Sequence, residues 1–192
     1  MTRLLTSLAV AFALLGGGGH AFAQLPSAAP PTAAGGPFAL TAADGRAVTD
    51  QTYRGKWLLV YFGYTHCPDV CPTTLSEMAA ALQHLGPLAD RVQPLFITLD
   101  PRRDTQAVLA EYVTAFDARI VGLTGTPQQI AAAARSYQVF YERVDRDDGD
   151  YLIDHSSYLY VMNPDGRFVT AWPSDRNGDQ VARDLDDLMR AR

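Results

Sequence analysis

Apolar positions along this chain change period several times, and each change marks an element. Residues 57–63, WLLVYFG, form an unbroken apolar run of strand length. A strand covered on both faces reads this way, because neither side meets water. Residues 94–99, PLFITL, repeat the pattern. Between the two runs, Leu75, Met78, Ala79, Leu82 and Leu85 recur at three- and four-residue steps. That is the period of a helix with one face toward a core, and it predicts a helix over 73–85. Val108, Leu109, Tyr112, Val113 and Phe116 predict a second helix over 104–116 by the same spacing.

The alternation continues to the end of the chain. A short strand is expected at 120–123. Thr126 can cap a third helix with Pro127 in its first position, where a missing N–H costs nothing. Val139–Val144 reads as a strand and is followed by the acidic turn DRDDGD. Strands over 158–162 and 167–172 flank the turn Asn163-Pro164-Asp165-Gly166, and 179–189 closes the chain as a helix. Upstream, residues 38–50, FALTAADGRAVTD, read as a hairpin turning at Asp44-Gly45. Strands alternating with helices, then a hairpin and a last helix, predict an α/β thioredoxin-like sandwich with a mixed central sheet. The leading hairpin is an addition to that fold.

The first residues break the pattern. Arg3 precedes an uncharged, mainly apolar run from Leu4 to Leu15, then Gly16–Gly19 and the small-x-small sequence Ala21-Phe22-Ala23. This is the form of a secretory signal cut after Ala23, and about twenty apolar residues would be needed to span a bilayer. An uncleaved anchor at 1–23 is the alternative, and membrane association is expected only in that case. Residues 24–37, QLPSAAPPTAAGGP, read as a flexible linker. The folded domain is expected over 38–192. Secretion implies a periplasmic location, free or tethered to the outer face of the inner membrane. The formal net charge of −5 argues against a nucleic-acid partner, which needs a basic face.

The chain has two cysteines, Cys67 and Cys71. A disulfide between them would close a loop too short to add much stability, so chemistry is the better reason for the pair. They follow a buried strand and open a helix, the carboxyl-end position where α/β sheets place ligand sites. A helix N-terminus favours thiolate, the form that attacks disulfides and binds metals. The spacing of three intervening residues permits a disulfide and also lets both sulfurs converge on one soft cation. Of the four histidines, His20 leaves with the signal. His84 lies at a helix end, where it complements the dipole. His66 abuts Cys67 and could ligate, but its side chain is expected to point away from that of the next residue. His155, in YLIDHSSYLYVM, is either an ordinary loop residue or a third ligand, with Asp154 beside it to orient the chain.

FGYTHCPDVCPTTL, ITLDPRRDT and DHSSYLYVMNPDG together resemble the Sco/SenC family of copper proteins, across about residues 36–190. The resemblance implies a thioredoxin-like domain that binds one copper ion, Cu(I) or Cu(II), through Cys67, Cys71 and His155. It implies a role in assembling the dinuclear copper centre of cytochrome c oxidase. The expected partner is the copper-centre subunit of that oxidase, with a copper donor protein or a periplasmic thiol reductant as further partners. Many family members carry a transmembrane segment, whereas this N-terminus reads as cleavable. Soft thiolates favour Cu(I) and imidazole suits either oxidation state; a two-Cys, one-His set also suits zinc. The second reading is a thiol–disulfide oxidoreductase that reduces the cysteine ligands of the same centre. In it Cys67 attacks, Cys71 resolves, and the pair forms a disulfide when oxidised. The acidic residues Asp145, Asp147, Asp148 and Asp150 read either as a docking site for a basic partner or as a solvated hairpin tip.

Overall fold

The computed structural model describes residues 33–191; the expected signal segment 1–23 and the first part of the linker lie outside them. Strand β3 (Trp57–Gly63) is buried at all seven positions. It runs parallel to β4 (Val92–Thr98) on one side and antiparallel to β8 (Tyr158–Met162) on the other. That central place explains its unbroken apolar sequence, since each large side chain covered contributes about 1.5–3 kcal/mol. The sheet is completed by β1 (Ala39–Ala42), β2 (Ala47–Thr49), β5 (Val121–Thr124) and β9 (Phe168–Pro173), in the order β2-β1-β5-β4-β3-β8-β9. The N-terminal hairpin therefore extends the central sheet, joining it through the antiparallel pairing of β1 with β5. Parallel and antiparallel pairs coexist, so the sheet is mixed, as expected.

Among the described residues four helices accompany it: α1 (Val70–His84), α2 (Gln106–Thr114), α3 (Pro127–Ser136) and α4 (Gly178–Arg190), with a 3-10 turn at Gly86–Arg91. Helix α1 packs on α4 and α2 on β5. Gly178 makes the first packing possible, since a Cβ there would lie 2.6 Å from Ala80 Cβ. Helix α3 begins as read from the sequence: Thr126 Oγ1 accepts from Gln129 N–H, and Gln129 returns a bond to Thr126 N–H.

Three differences from the sequence reading bear on the site. Helix α1 starts at Val70 rather than 73, which places Cys71 and Pro72 inside its first turn, where a proline is tolerated. The stretch after the acidic turn, expected as a loop, is strand β7 (Tyr151–His155). Among the described residues it pairs only with β6 (Tyr141–Asp145), in a two-stranded ribbon. His155 thus ends a strand instead of standing on a loop. The end of the 24–37 segment is also held, because Gly35 N–H donates to the Ser136 carbonyl at 2.8 Å. No helix of the described residues is long and apolar enough to cross a membrane.

Candidate metal centre

Chain geometry brings the cysteines to the carboxyl end of β3. Gly63 ends the strand, a turn carries Tyr64–Asp69, and α1 begins. Asp69 holds the cap position of α1 yet makes no side-chain cap bond. The sulfur of Cys67 faces the helix start instead and accepts the Cys71 N–H at 3.5 Å. The turn is held by Asp104, whose buried carboxylate accepts from Thr65 N–H at 3.0 Å, from Thr65 Oγ1 at 2.6 Å and from Thr98 Oγ1 at 2.6 Å.

Both cysteines are free, Cys67 half-buried and Cys71 buried. The hydrogen bond from the Cys71 thiol is the main cause that pulls the Cys67 pKa down to about 4. His155 and the N–H groups of Asp69 and Cys71 add to it, while burial opposes it. The same shared proton, together with burial, pushes Cys71 far up. At neutral pH the pair is one thiolate at Cys67 and one thiol at Cys71, titrating as a unit.

His155 lies 84 positions beyond Cys71, and its Nε2 stands 3.6 Å from the Cys71 sulfur. Its Nδ1 is 3.0 Å from the Ser156 carbonyl oxygen. A carbonyl only accepts, so Nδ1 carries a proton toward it, and Nε2 is the nitrogen that faces the sulfurs. Among the described residues no group of three or more His, Cys, Asp or Glu side chains already stands in a metal-binding arrangement. The close approaches are those of Cys71 N–H to the Cys67 sulfur and of His155 Nε2 to the Cys71 sulfur, so Cys71 stands between the other two candidates.

Residues not singled out in the sequence complete the centre. Tyr61 is fully buried in β3, and its hydroxyl donates to Cys71 Sγ at 3.7 Å and lies 3.1 Å from Ser157 Oγ. Ser157 Oγ in turn lies 2.6 Å from Ser174 Oγ. Burial is the main cause that raises the Tyr61 pKa, so it remains a phenol. The rings of Tyr61 and Tyr64 stand edge-on to His155 at 6.2 and 6.1 Å. The signal available was a tyrosine inside an otherwise apolar run, since a buried hydroxyl needs a partner.

The remaining candidates fall elsewhere. His66 is exposed, with Nδ1 3.1 Å from Thr65 Oγ1 and 3.9 Å from Asp104. His84 pairs with Asp179 at 2.7 Å, joining the end of α1 to the start of α4. The acidic turn is largely charge-matched: Asp145 pairs with Arg143 at 2.6 Å, Asp148 with Arg146 at 3.5 Å, and Asp150 with Arg103 at 2.8 Å.

A family model described as SCO1/SenC matches residues 26–190. The human mitochondrial SCO1 homologue is 41% identical over 159 residues, which cover 81% of this chain and 53% of that protein. The mitochondrial SCO1 homologue 1 of Arabidopsis thaliana is 43% identical over 150 residues, covering 78% of this chain and 45% of that protein. The chain thus spans about half the length of these curated relatives. Among solved structures, Bradyrhizobium japonicum ScoI with copper bound is 46% identical at TM-score 0.76, covering 81% of this chain and 99% of that one. Arabidopsis thaliana ScoI with copper bound is 41% identical at TM-score 0.79, covering 83% of this chain and 100% of that one.

Proposed function

The chain belongs to the SCO1/SenC family, and from that premise we propose that it binds one copper ion through Cys67, Cys71 and His155 and helps assemble the dinuclear copper centre of cytochrome c oxidase. The observation that carries the reading is the approach of His155 Nε2 to within 3.6 Å of Cys71 Sγ, across 84 residues of chain. The donor set fits the ion. One sulfur is already thiolate, the other has a single proton to lose, and the imidazole presents Nε2 to the pair. Soft sulfur donors select Cu(I), and imidazole extends the set to Cu(II). Copper is cargo in this reading, and half-exposed Cys67 is the ligand that a partner's own ligand can reach. We propose a periplasmic location to go with that role, with residues 1–23 as the export signal or anchor.

A copper titration of the reduced protein without oxygen, against a competing Cu(I) chelator, tests it. One tight equivalent is expected, abolished by Cys67→Ser or Cys71→Ser and weakened by His155→Ala. Weak binding indifferent to His155 would remove the copper role.

A second reading, reduction of a partner disulfide, is favoured by the low pKa of Cys67. Its thiolate would attack the partner disulfide, form a mixed disulfide and release one partner thiol. Cys71 would then attack the Cys67 sulfur, releasing the second thiol and leaving a Cys67–Cys71 disulfide. His155 separates the readings, because metal binding needs it and dithiol exchange does not.

A further inference from the structure

His155 is carried by a ribbon that shares no strand pairing with the central sheet. Cys71, by contrast, is fixed in a helix packed on the core. Downstream, the chain is fixed where β8 begins at Tyr158, with Ser174 N–H donating to the Ser157 carbonyl at 3.2 Å; the path of β7 up to His155 depends on what ties the other end of the ribbon down. Internal bonds, such as Ser156 N–H to the Phe140 carbonyl at 2.9 Å, only close the base of the ribbon.

The tie comes from the loop between β4 and α2. Arg103 Nε donates to Asp100 at 2.5 Å. Its Nη1 donates to Asp150 at 2.8 Å and to the Tyr151 carbonyl at 3.1 Å. Its guanidinium carbon lies 3.6 Å from the centre of the Tyr151 ring and 5.9 Å from that of Tyr64. The Tyr151 hydroxyl closes the ring of contacts by donating to Asp100 at 2.9 Å. Asp100 is itself buried. One side chain thus grips the backbone at the start of β7, one acidic side chain on the ribbon and the tyrosine ring. The next residue along the loop, the buried Asp104, holds the cysteine turn through Thr65. A single loop therefore locates both halves of the ligand set.

We propose that Arg103, with Asp100 and Tyr151, is the positioning group that sets His155 against the cysteine pair. A planar fork that bonds three acceptors while stacking on an aromatic ring is a task for arginine and not for lysine. The inference rests on His155 being a copper ligand, and the test separates the two claims.

Wild type, Arg103→Lys, Tyr151→Phe, His155→Ala and the double variant Arg103→Lys/His155→Ala are compared for Cu(II) affinity and for the thiolate-to-copper absorption band. If Arg103 acts through His155, Arg103→Lys weakens binding about tenfold, the usual scale for losing an outer partner of a ligand. Its band moves toward that of His155→Ala, Tyr151→Phe falls between, and the double variant is no weaker than His155→Ala alone. Wild-type affinity and band in Arg103→Lys, or a loss that adds in full to that of His155→Ala, would overturn the proposal. If His155→Ala leaves binding unchanged, the copper reading fails and the metal-free protein decides the clamp. Amide exchange at Tyr151–His155 should then be faster in Arg103→Lys with α1 unaltered, and equal exchange would sink it.

Discussion

Gly63 has no side chain because Cys71 Sγ occupies the space its Cβ would take. An added Cβ would lie 2.7 Å from that sulfur and 2.9 Å from Phe96 Cε2. The ring is packed in the core, so the sulfur is the atom that must move. Gly63→Ala is therefore expected to cost about 1–3 kcal/mol, the usual range for overpacking. That is about 2–4 °C in Tm per kcal/mol for a domain of this size. Copper affinity should fall with it, because Cys71 is pushed off its line to His155. Unchanged copper competition in a folded Gly63→Ala protein would show that Cys71 has more freedom than this packing allows. Neither Gly63 nor Tyr61 was legible as a site residue, because each matters through what faces it across the fold. Ser157 lies 96 positions from the Tyr61 hydroxyl it meets. Cys67 and Cys71 were legible because their place, after a buried run and before a helical pattern, is itself local. His155 stood as an even choice between loop residue and candidate ligand until the family resemblance was added.

Elements with one strong periodicity were read almost to the residue. β3 and β8 match the expected 57–63 and 158–162, and Thr126 caps α3 as its sequence predicts. Strand β7 was lost because Tyr151–His155 carries only one fully buried side chain, Ile153, and follows a run of acids that reads as a turn. Its partner β6 is mostly exposed, so pairing, and not burial, makes both of them strands. Between α3 and β6 lies an element end that runs against local preference. Val139 N–H reaches the Ala134 carbonyl at 2.8 Å and Gln138 N–H the Arg135 carbonyl at 3.1 Å, the double bond of a Schellman stop. That stop needs a left-handed residue, and Gln138 supplies it at φ 56°. Left-handed backbone costs a side-chain-bearing residue about 1–2 kcal/mol, while glycine loses about 0.5–1 kcal/mol more entropy on folding. Gln138→Gly should then stabilise the protein by about 0.5–1 kcal/mol in urea denaturation, with the slope of the transition unchanged. A destabilised variant would mean that the Gln138 side chain contributes more than the strain it bears.

For the whole molecule, the cysteine pair is a proton account that differs between folded and unfolded chains. An unfolded cysteine titrates near pH 8.5. In the fold, Cys67 loses its proton near pH 4 and Cys71 keeps its own far above the ordinary range. Below about pH 4 both states hold two protons on the pair, and stability does not change with pH on its account. From there to about pH 8.5 the folded chain holds one and the unfolded chain two, so stability rises with pH. Above about 8.5 the unfolded chain has released both while folded Cys71 retains one, and stability falls again. Cys67→Ser removes the depressed group and leaves a Cys71 thiol raised by burial without its bond to Cys67, so the variant should lack the rising limb and keep a falling limb set by that burial. The difference in unfolding free energy between wild type and Cys67→Ser, measured with reductant and a metal chelator present, should therefore climb between pH 5 and 8 and level off above about 9. Carboxylates elsewhere cancel in that difference. A flat difference would mean that Cys67 titrates as an ordinary thiol. The rising limb would carry a consequence for the proposed function, because an ion entering the site near neutral pH then has one proton to displace and not two.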